Sequence, residues 1–459
     1  MALLGRLAPA LALVAFAGCG QTLKFTECTK ATVATDCPGM DANGHAFYCT
    51  SDGLCVSGVP EDELCPAGDI VNPSGTIVFA SLVNRSNPDD QDQELASVLA
   101  INEINNQQSA VNMPGIQLVL CDTGDGTTKG QSARAATLAI TKYHATALLG
   151  PSSSGGVKEV LPVLTQYGVL AMSASATSAS ITDLPDNNLV WRTCPSDALQ
   201  GKILAALVKA GTPAPTKIDT LYVNDDYGLG LSQQFSMQFQ MSGVMVSNAL
   251  QFDPSTVAAR ISALDADGPS DALLVVDDQV GAFINMLEGQ SGLAKTRFFM
   301  SDSAESDDLL KGPKDVLDRI QGTTLGLSKG NPFNQFQLAY RAAYPSNQTG
   351  AKSPYAAAAY DAAYLVALAA AAAPGHVTGP DLAAGLVKCS NQMANPIDIG
   401  SAGYIEAVNK IQAGNIALNG ATGPIAFTLK GDPVNASFDV WTVDTSGASP
   451  VFMTMPAPM

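Results

Sequence analysis

Residues 145–156 read Ala-Thr-Ala-Leu-Leu-Gly-Pro-Ser-Ser-Ser-Gly-Gly, and Val157, Val160, Leu161 and Leu164 follow. The apolar run before Gly150 has the length and composition of a buried parallel strand. The apolar residues after Gly156 recur at i, i+3, i+4 and i+7, which is one face of a helix. Pro162 falls inside that helix and predicts a kink. Between strand and helix stand Gly150, Pro151, three hydroxyls and two further glycines. In open parallel sheets, ligands sit beyond the carboxyl ends of strands, where loops enter helix N-termini. Such a helix start carries partial positive charge and unpaired N–H groups, so it suits a carboxylate. One serine suffices as an N-cap. Three in a row exceed that need, and the loop is expected to touch a ligand.

The same strand–helix alternation extends in both directions. Residues 76–80, 116–120, 169–172 and 189–191 read as further strands. Leu95, Val98, Leu99, Ile101 and Ile104 mark one apolar helix face between the first two. After Pro195 a second series begins, with strands over 218–223, 244–250, 272–276 and 297–300. Two such series predict an α/β chain with two doubly wound parallel-sheet lobes. Three more strand-end loops carry polar groups. Residues 173–178 are again small and hydroxyl-rich, and they would let a ligand approach the backbone. Ser301-Asp302-Ser303 places a carboxylate where it would face a ligand ammonium. Asp277 and Asp278 form an acidic pair after the third strand of the second series, suited to a metal, to acid–base work or simply to solvation.

Composition bounds the function. The chain has 459 residues, 46% hydrophobic and 14% charged, which permits large cores and more than one domain. It carries 24 basic and 42 acidic residues, a net charge of −18. That balance repels phosphate backbones and excludes nucleic acid as the expected partner. Arg6, an apolar run over 7–17 and a small-residue stretch ending at Gly18 read as an export signal over 1–18, too short to span a bilayer. Phe16-Ala17-Gly18-Cys19 resembles a bacterial lipobox, with Phe16 where Leu is usual. It makes Cys19 the expected lipid anchor and places the chain outside the cytoplasm, periplasmic or at the cell surface. Of nine cysteines, eight remain once Cys19 is set aside. Cys28, Cys37, Cys49, Cys55 and Cys65 cluster, while Cys121, Cys194 and Cys389 are scattered. The cluster predicts a small stapled module within 19–74, beyond a tether. Its odd number predicts that one member, with Cys65 the candidate, pairs with the main body. No Cys-x-x-Cys occurs and His45 is the one histidine nearby, so no metal site is expected.

Catalytic patterns are missing from the sequence. It has three histidines, His45, His144 and His376. Gly150 is followed by Pro-Ser-Ser-Ser rather than a Gly-x-Ser-x-Gly elbow. Neither a phosphate-loop lysine pattern nor Gly-x-Gly-x-x-Gly follows a strand. The expectation is a binding protein, with no enzyme activity and no cofactor.

Five segments in order resemble the branched-chain amino-acid binding proteins of ABC transporters, the type I periplasmic binding proteins. These are 150–154 with Gly168-Val169 and 173–177; Trp191-Arg192-Thr193-Cys194-Pro195-Ser196-Asp197 with Gln200-Gly201; Asp225-Asp226-Tyr227-Gly228; Tyr355 with Tyr360-Asp361-Ala362; and 420–427 with Gly431-Asp432. The resemblance covers roughly residues 75–443. It implies two lobes joined by three crossovers, with lobe one at 75–195 plus 328–425 and lobe two at 196–327 plus 426–459. It implies a hinge-closing cleft between them. Ser154, Ser175 and Thr177 would bind the ligand carboxylate, Tyr227 and Asp302 would act from lobe two with Asp302 on the ammonium, and Tyr355 would pack on the ligand side chain. The implied partners are an amino acid or relative and an ABC permease. A sensing or adhesion lipoprotein using the same clamshell is the alternative, favoured by the extra Cys module. Two departures fall near the cleft. Residues 84–90 lack the family's usual Gly-rich turn, and Ser303 replaces a common Gly.

Overall fold

The computed structural model describes residues 47–49, 55–57 and 59–457, apart from 127, 216, 241–245, 268–270, 276–279, 329, 374, 376, 393 and 394. The signal over 1–18, Cys19, Cys28, Cys37, His45, His376, Asp277 and Asp278 lie outside the described residues. So does most of the expected Cys-rich module. What is described of residues 1–60 is one antiparallel hairpin of β1 (Phe47–Cys49) and β2 (Cys55–Ser57), with Cys49 opposite Cys55.

The chain from Glu61 onward is built on two large sheets. The first has β3 (Ile70–Val71), β4 (Ile77–Val83), β5 (Ile116–Asp122), β6 (Ala147–Leu149), β7 (Leu170–Ser173) and β8 (Val190–Arg192). Its order is β3-β5-β4-β6-β7-β8, parallel except for β3. The expected body begins at Gly75, but Ile70–Val71 already pairs with β5, so this end of the tether belongs to the sheet. The next strands are β9 (Ile218–Val223), β10 (Val246–Phe252), β11 (Asp271–Val275), β12 (Phe298–Met300) and β13 (Ile320–Leu325). A small sheet of β14 (Ile397–Asp398), β15 (Leu418–Gly420) and β16 (Gly423–Ile425) follows. Then β17 (Phe438–Asp444) and β18 (Val451–Pro456) return to complete a seven-stranded sheet, β10-β9-β11-β12-β13-β17-β18. The chain passes between the two large sheets three times, after β8, after β13 and after β16.

Five helices border the polar loops at the strand ends. They are α1 (Pro88–Asn105), α2 (Ser154–Tyr167), α3 (Asp197–Lys209), α4 (Asp226–Gln240) and α5 (Pro354–Ala371). The Ala-rich α5 is buried from Ala356 to Ala371 within the core of the first sheet. Its many alanines let α1 and the sheet approach closely, and a helix that is apolar on nearly all sides is a buried one. Asp361 is the exception on that helix. Its carboxylate accepts N–H bonds from Ala421 (2.8 Å) and Thr422 (2.9 Å), and so ties α5 to the closing segment. Around the second sheet, Phe235, Phe239, Leu204 and Val208 pack on one side, and Ile261, Phe283, Ile284 and Trp441 on the other.

Cys65 is bonded to Cys121, 56 residues on, which ties the segment after Pro60 to β5. The odd-cysteine expectation is met. Cys194 and Cys389 are buried and free. A cross-link closing a loop of this size stabilises mainly by restricting the unfolded chain, by about 2–4 kcal/mol. The double substitution Cys65→Ala/Cys121→Ala should therefore lower the unfolding free energy by about that amount. Guanidinium titration of the two proteins checks it, and an unchanged midpoint would contradict it.

Candidate functional site

The polar loops of both sheets stand at the carboxyl ends of their strands. β6 ends at Leu149, and Gly150 turns the chain with φ +120, a conformation that suits glycine. A Cβ there would also meet the Leu82 carbonyl oxygen at 2.2 Å. Ser153 then caps α2, its hydroxyl accepting the Gly156 N–H at 3.1 Å. The neighbouring hydroxyls do other work. Ser152 donates to Asp90 Oδ2 at 2.5 Å, and Ser154 Oγ accepts the Ser178 N–H at 3.1 Å. After β7, Ser173 donates to the Pro151 carbonyl, and Ser175 donates to the Ser152 carbonyl and Gln93 Oε1. The 84–90 loop, which lacks a Gly-rich turn, is held by side chains instead. Asn84 N–H donates to Asp90 Oδ2 and Ser86 N–H to Asn84 Oδ1, both at 3.0 Å. Burial pushes the Asp90 carboxyl up to about 6, and the bonds from Ser152 and Asn84 offset part of that.

On the second sheet, Asp302 follows β12 and is almost buried. Its Oδ1 accepts from the Tyr227 hydroxyl at 2.8 Å and from Gln200 Nε2 at 2.6 Å. Its Oδ2 accepts from the Tyr355 hydroxyl. Tyr227 comes from the start of α4, Gln200 from α3 and Tyr355 from α5, so three helices converge on one carboxylate. Burial and then the Asp302 charge push both phenols well above their ordinary range, so each stays a donor. Ser303, which stands where the resembled family often has Gly, lies 3.3 Å from the Tyr227 hydroxyl.

Asp197 lies beside this group at 0 % exposure. Burial and then the nearby Asp302 charge raise its carboxyl well above the ordinary range, and the Thr177 hydroxyl alongside offsets part of that. Neither Asp197 oxygen receives a hydrogen bond of ordinary geometry. Through Asp197, the first-sheet loop that carries Thr177 meets the second-sheet cluster. Helix α2 also reaches α4 here, where Lys158 is ion-paired with Asp226. Behind the loop Arg192 is 1 % exposed and donates to Asp432 (2.6 Å) and to the carbonyls of Ala176 (3.1 Å) and Ser178 (2.9 Å).

A family described as the receptor family ligand binding region matches residues 92–446. The chain belongs to that family. Among curated relatives of this receptor-family chain is a chemotactic signal transduction system substrate-binding protein, BasB of Halobacterium salinarum. It is 26% identical over 310 residues, 63% of this chain and 67% of the relative. A metabotropic glutamate receptor-like protein E of Dictyostelium discoideum is 28% identical over 107 residues, 23% of this chain and 13% of that protein. The chain thus spans only a small part of the receptor-like relative. Among solved structures, a leucine-binding protein of Thermotoga maritima superposes with TM-score 0.66 at 19% identity, covering 83% of this chain and 99% of that one. The branched-chain amino-acid substrate-binding protein LivJ of Streptococcus pneumoniae, in complex with isoleucine, gives 0.63 at 19%, covering 83% and 100%. A Rhodopseudomonas palustris solute-binding protein in complex with 3,4-dihydroxybenzoic acid gives 0.63 at 16%, covering 83% and 98%. At these identities the likeness is one of fold. The resemblance carried by the five motifs is borne out for family and fold.

Within the receptor-family fold, the six residues singled out by sequence fall into two sets. Tyr227, Asp302 and Tyr355 share one hydrogen-bonded cluster, and Thr177 adjoins it through Asp197. Ser154 and Ser175 are outside that cluster, with their hydroxyls engaged by Ser178 and by Ser152 and Gln93 respectively. Sequence reasoning did not single out Asp197 or Gln200 as site residues. A signal for both was present. Asp197, Gln200, Leu204, Ala205 and Val208 share one buried face of α3, so two polar residues sit on an otherwise apolar stripe. Among the described residues no group of three or more His, Cys, Asp or Glu has the arrangement of a metal site. Burial pushes the nearby Cys194 thiol up to about 12, which leaves it protonated and unsuited to nucleophilic chemistry.

Proposed function

We propose that the chain is an exported solute-binding lipoprotein that captures a small zwitterion, an amino acid or relative, for an ABC importer. Residues 75–195 plus 328–425 form lobe one and 196–327 plus 426–459 form lobe two of a clamshell whose cleft holds the ligand. The observation that carries the reading is the pair of buried carboxylates, Asp197 and Asp302, set against the Thr177 loop at the strand ends of the two sheets. A carboxylate in that setting favours an ammonium partner. The hydroxyls of Ser154, Ser175 and Thr177 and the N-terminus of α2 supply donors for the ligand carboxylate once the internal bonds exchange. Tyr227 and Tyr355 hold Asp302 and border the ligand side chain. The membrane is reached through lipid on Cys19, outside the cytoplasm. Among the described residues no helix is long and apolar enough to cross a bilayer. The protein binds its ligand without turning it over.

The BasB relative favours a second reading, in which the same clamshell reports its ligand to a signalling partner rather than to a permease. Both readings require the same pocket. A thermal-shift screen of the mature protein against amino acids, amides, short peptides and aromatic acids tests it. A ligand at 100 times its dissociation constant should add about 2.7 kcal/mol. Stabilisation by compounds with both ammonium and carboxylate is expected. Stabilisation by aromatic acids alone, or by nothing, would reject the amino-acid reading.

A further inference from the structure

We propose that the Tyr355 hydroxyl is an internal competitor of the ligand: it occupies Asp302 Oδ2, and an ammonium reaches that oxygen only when the hydroxyl lets go. The proposal rests on the cleft reading and adds an autoinhibitory contact to it. The two oxygens of Asp302 are held in different ways. Oδ1 accepts from the Tyr227 hydroxyl at 2.8 Å and from Gln200 Nε2 at 2.6 Å. Both donors come from helices packed on the second sheet, α4 and α3, and the β12 loop belongs to the same sheet. These bonds therefore travel with Asp302 whenever the two halves move. Gln200 is itself fixed by a further bond to the Thr323 hydroxyl of β13 at 2.9 Å. Oδ2 accepts from the Tyr355 hydroxyl. Tyr355 stands in the first turn of α5, whose buried length lies in the core of the first sheet. This bond therefore crosses from one half to the other.

A ligand held between the halves enters where such crossing contacts lie. A direct hydrogen bond leaves no width for an ammonium between its donor and its acceptor. The halves are close along the same face: Lys158 of α2 is ion-paired with Asp226 of α4, and a Cβ on Gly230 would meet Ser178 Oγ at 2.9 Å. Helix α5 has no room to retreat. Ser353 caps it, its hydroxyl accepting the Ala356 N–H at 3.2 Å, and the turns beyond are packed on all sides. What can move is the Tyr355 side chain, by rotation, or the halves, by hinge opening. Either motion frees Oδ2 while Tyr227 and Gln200 keep the carboxylate in place. The two crossing contacts differ in consequence. The Lys158–Asp226 pair leaves Asp302 alone, so it holds the halves together with or without ligand. The Tyr355–Asp302 bond holds only the form that the ammonium has not entered. A contact of that kind lowers the binding-competent fraction, and the apparent affinity falls with that fraction.

Isothermal titration of the wild type, Tyr355→Phe and Lys158→Gln tests the idea. The probes are the standard amino acids, the des-amino acid matching any that binds, and isopentylamine. Tyr355→Phe keeps the ring and loses the hydroxyl. It should bind at least one amino acid at least about fivefold tighter than the wild type does, because no bond to Oδ2 has to be broken first. The matching des-amino acid should show no such gain, since it leaves Oδ2 to the hydroxyl. Lys158→Gln should bind the same amino acid no tighter than the wild type, and at most about fivefold weaker. Equal or weaker amino-acid binding by Tyr355→Phe would overturn the competition and leave the amino-acid reading intact, and so would an equal gain for the des-amino acid. A gain seen with isopentylamine and no amino acid would uphold the competition and overturn the zwitterion. Silence from every compound would overturn both.

Discussion

Asp302→Asn is expected to weaken binding of the screened ammonium ligand by about 100- to 1,000-fold while the protein stays folded. The carboxylate gathers donors from three helices, Tyr227 of α4, Gln200 of α3 and Tyr355 of α5. Those bonds keep it in one place, so a ligand cation meets a fixed charge. Removing one partner of a buried, hydrogen-bonded charge pair costs about 2–5 kcal/mol in binding. Asparagine keeps one acceptor oxygen for the surrounding donors, and its amide can be accepted by a phenol. It also relieves the repulsion from Asp197, so the unfolding free energy should change by less than about 1 kcal/mol. Calorimetric titration beside thermal melts reads both quantities. If affinity survives while the melts coincide, Asp302 is a structural acid and the ammonium lies elsewhere.

Nine strands were legible because buried parallel strands are continuous apolar runs, whereas β13, β17 and β18 of the second sheet and the small sheet of β14, β15 and β16 were not read from the sequence. The run over 218–223 matches β9 in full, and the others differ by a residue or a few at their ends. The strand Ile70–Val71 escaped because two residues carry no periodicity. Its pairing with β5 instead shows in three dimensions, beside the Cys65–Cys121 bond. The site was legible in part. Hydroxyl-rich loops after strands mark where a ligand would lie, but sequence does not say which hydroxyls are taken by neighbours. Ser175 is held by Gln93 and Ser152, and Ser152 by Asp90, contacts 23 to 82 residues apart. Asp197 reads in sequence as a first-turn acid behind the Ser196 cap, which is its commonest role. Only the closure of α3 against the Thr177 loop and the β12 loop turns it into a buried carboxyl.

Arg192→Met should destabilise the fold by about 3–5 kcal/mol, because it strands a partner that the core has no other means to neutralise. The guanidinium is 1 % exposed and spends its donors on four acceptors: Asp432 Oδ1, the carbonyls of Ala176 and Ser178, and the Thr182 hydroxyl at 2.9 Å. It therefore binds the closing segment to the loop that carries Thr177. Two motifs far apart in sequence, around Arg192 and around Gly431-Asp432, are in this way one structural unit, and Arg192 N–H also donates to the Gly431 carbonyl at 3.0 Å. Lysine should not substitute, since a point charge with three donors cannot reproduce the planar fork. Adding Asp432→Asn to Arg192→Met should recover part of the loss, because the uncompensated carboxylate is then gone while the bare carbonyls remain. Urea unfolding of the two single variants and the double variant gives the coupling. A loss below about 1 kcal/mol for Arg192→Met would mean that water or another cation reaches Asp432, and that the Thr177 loop is held by something other than this arginine.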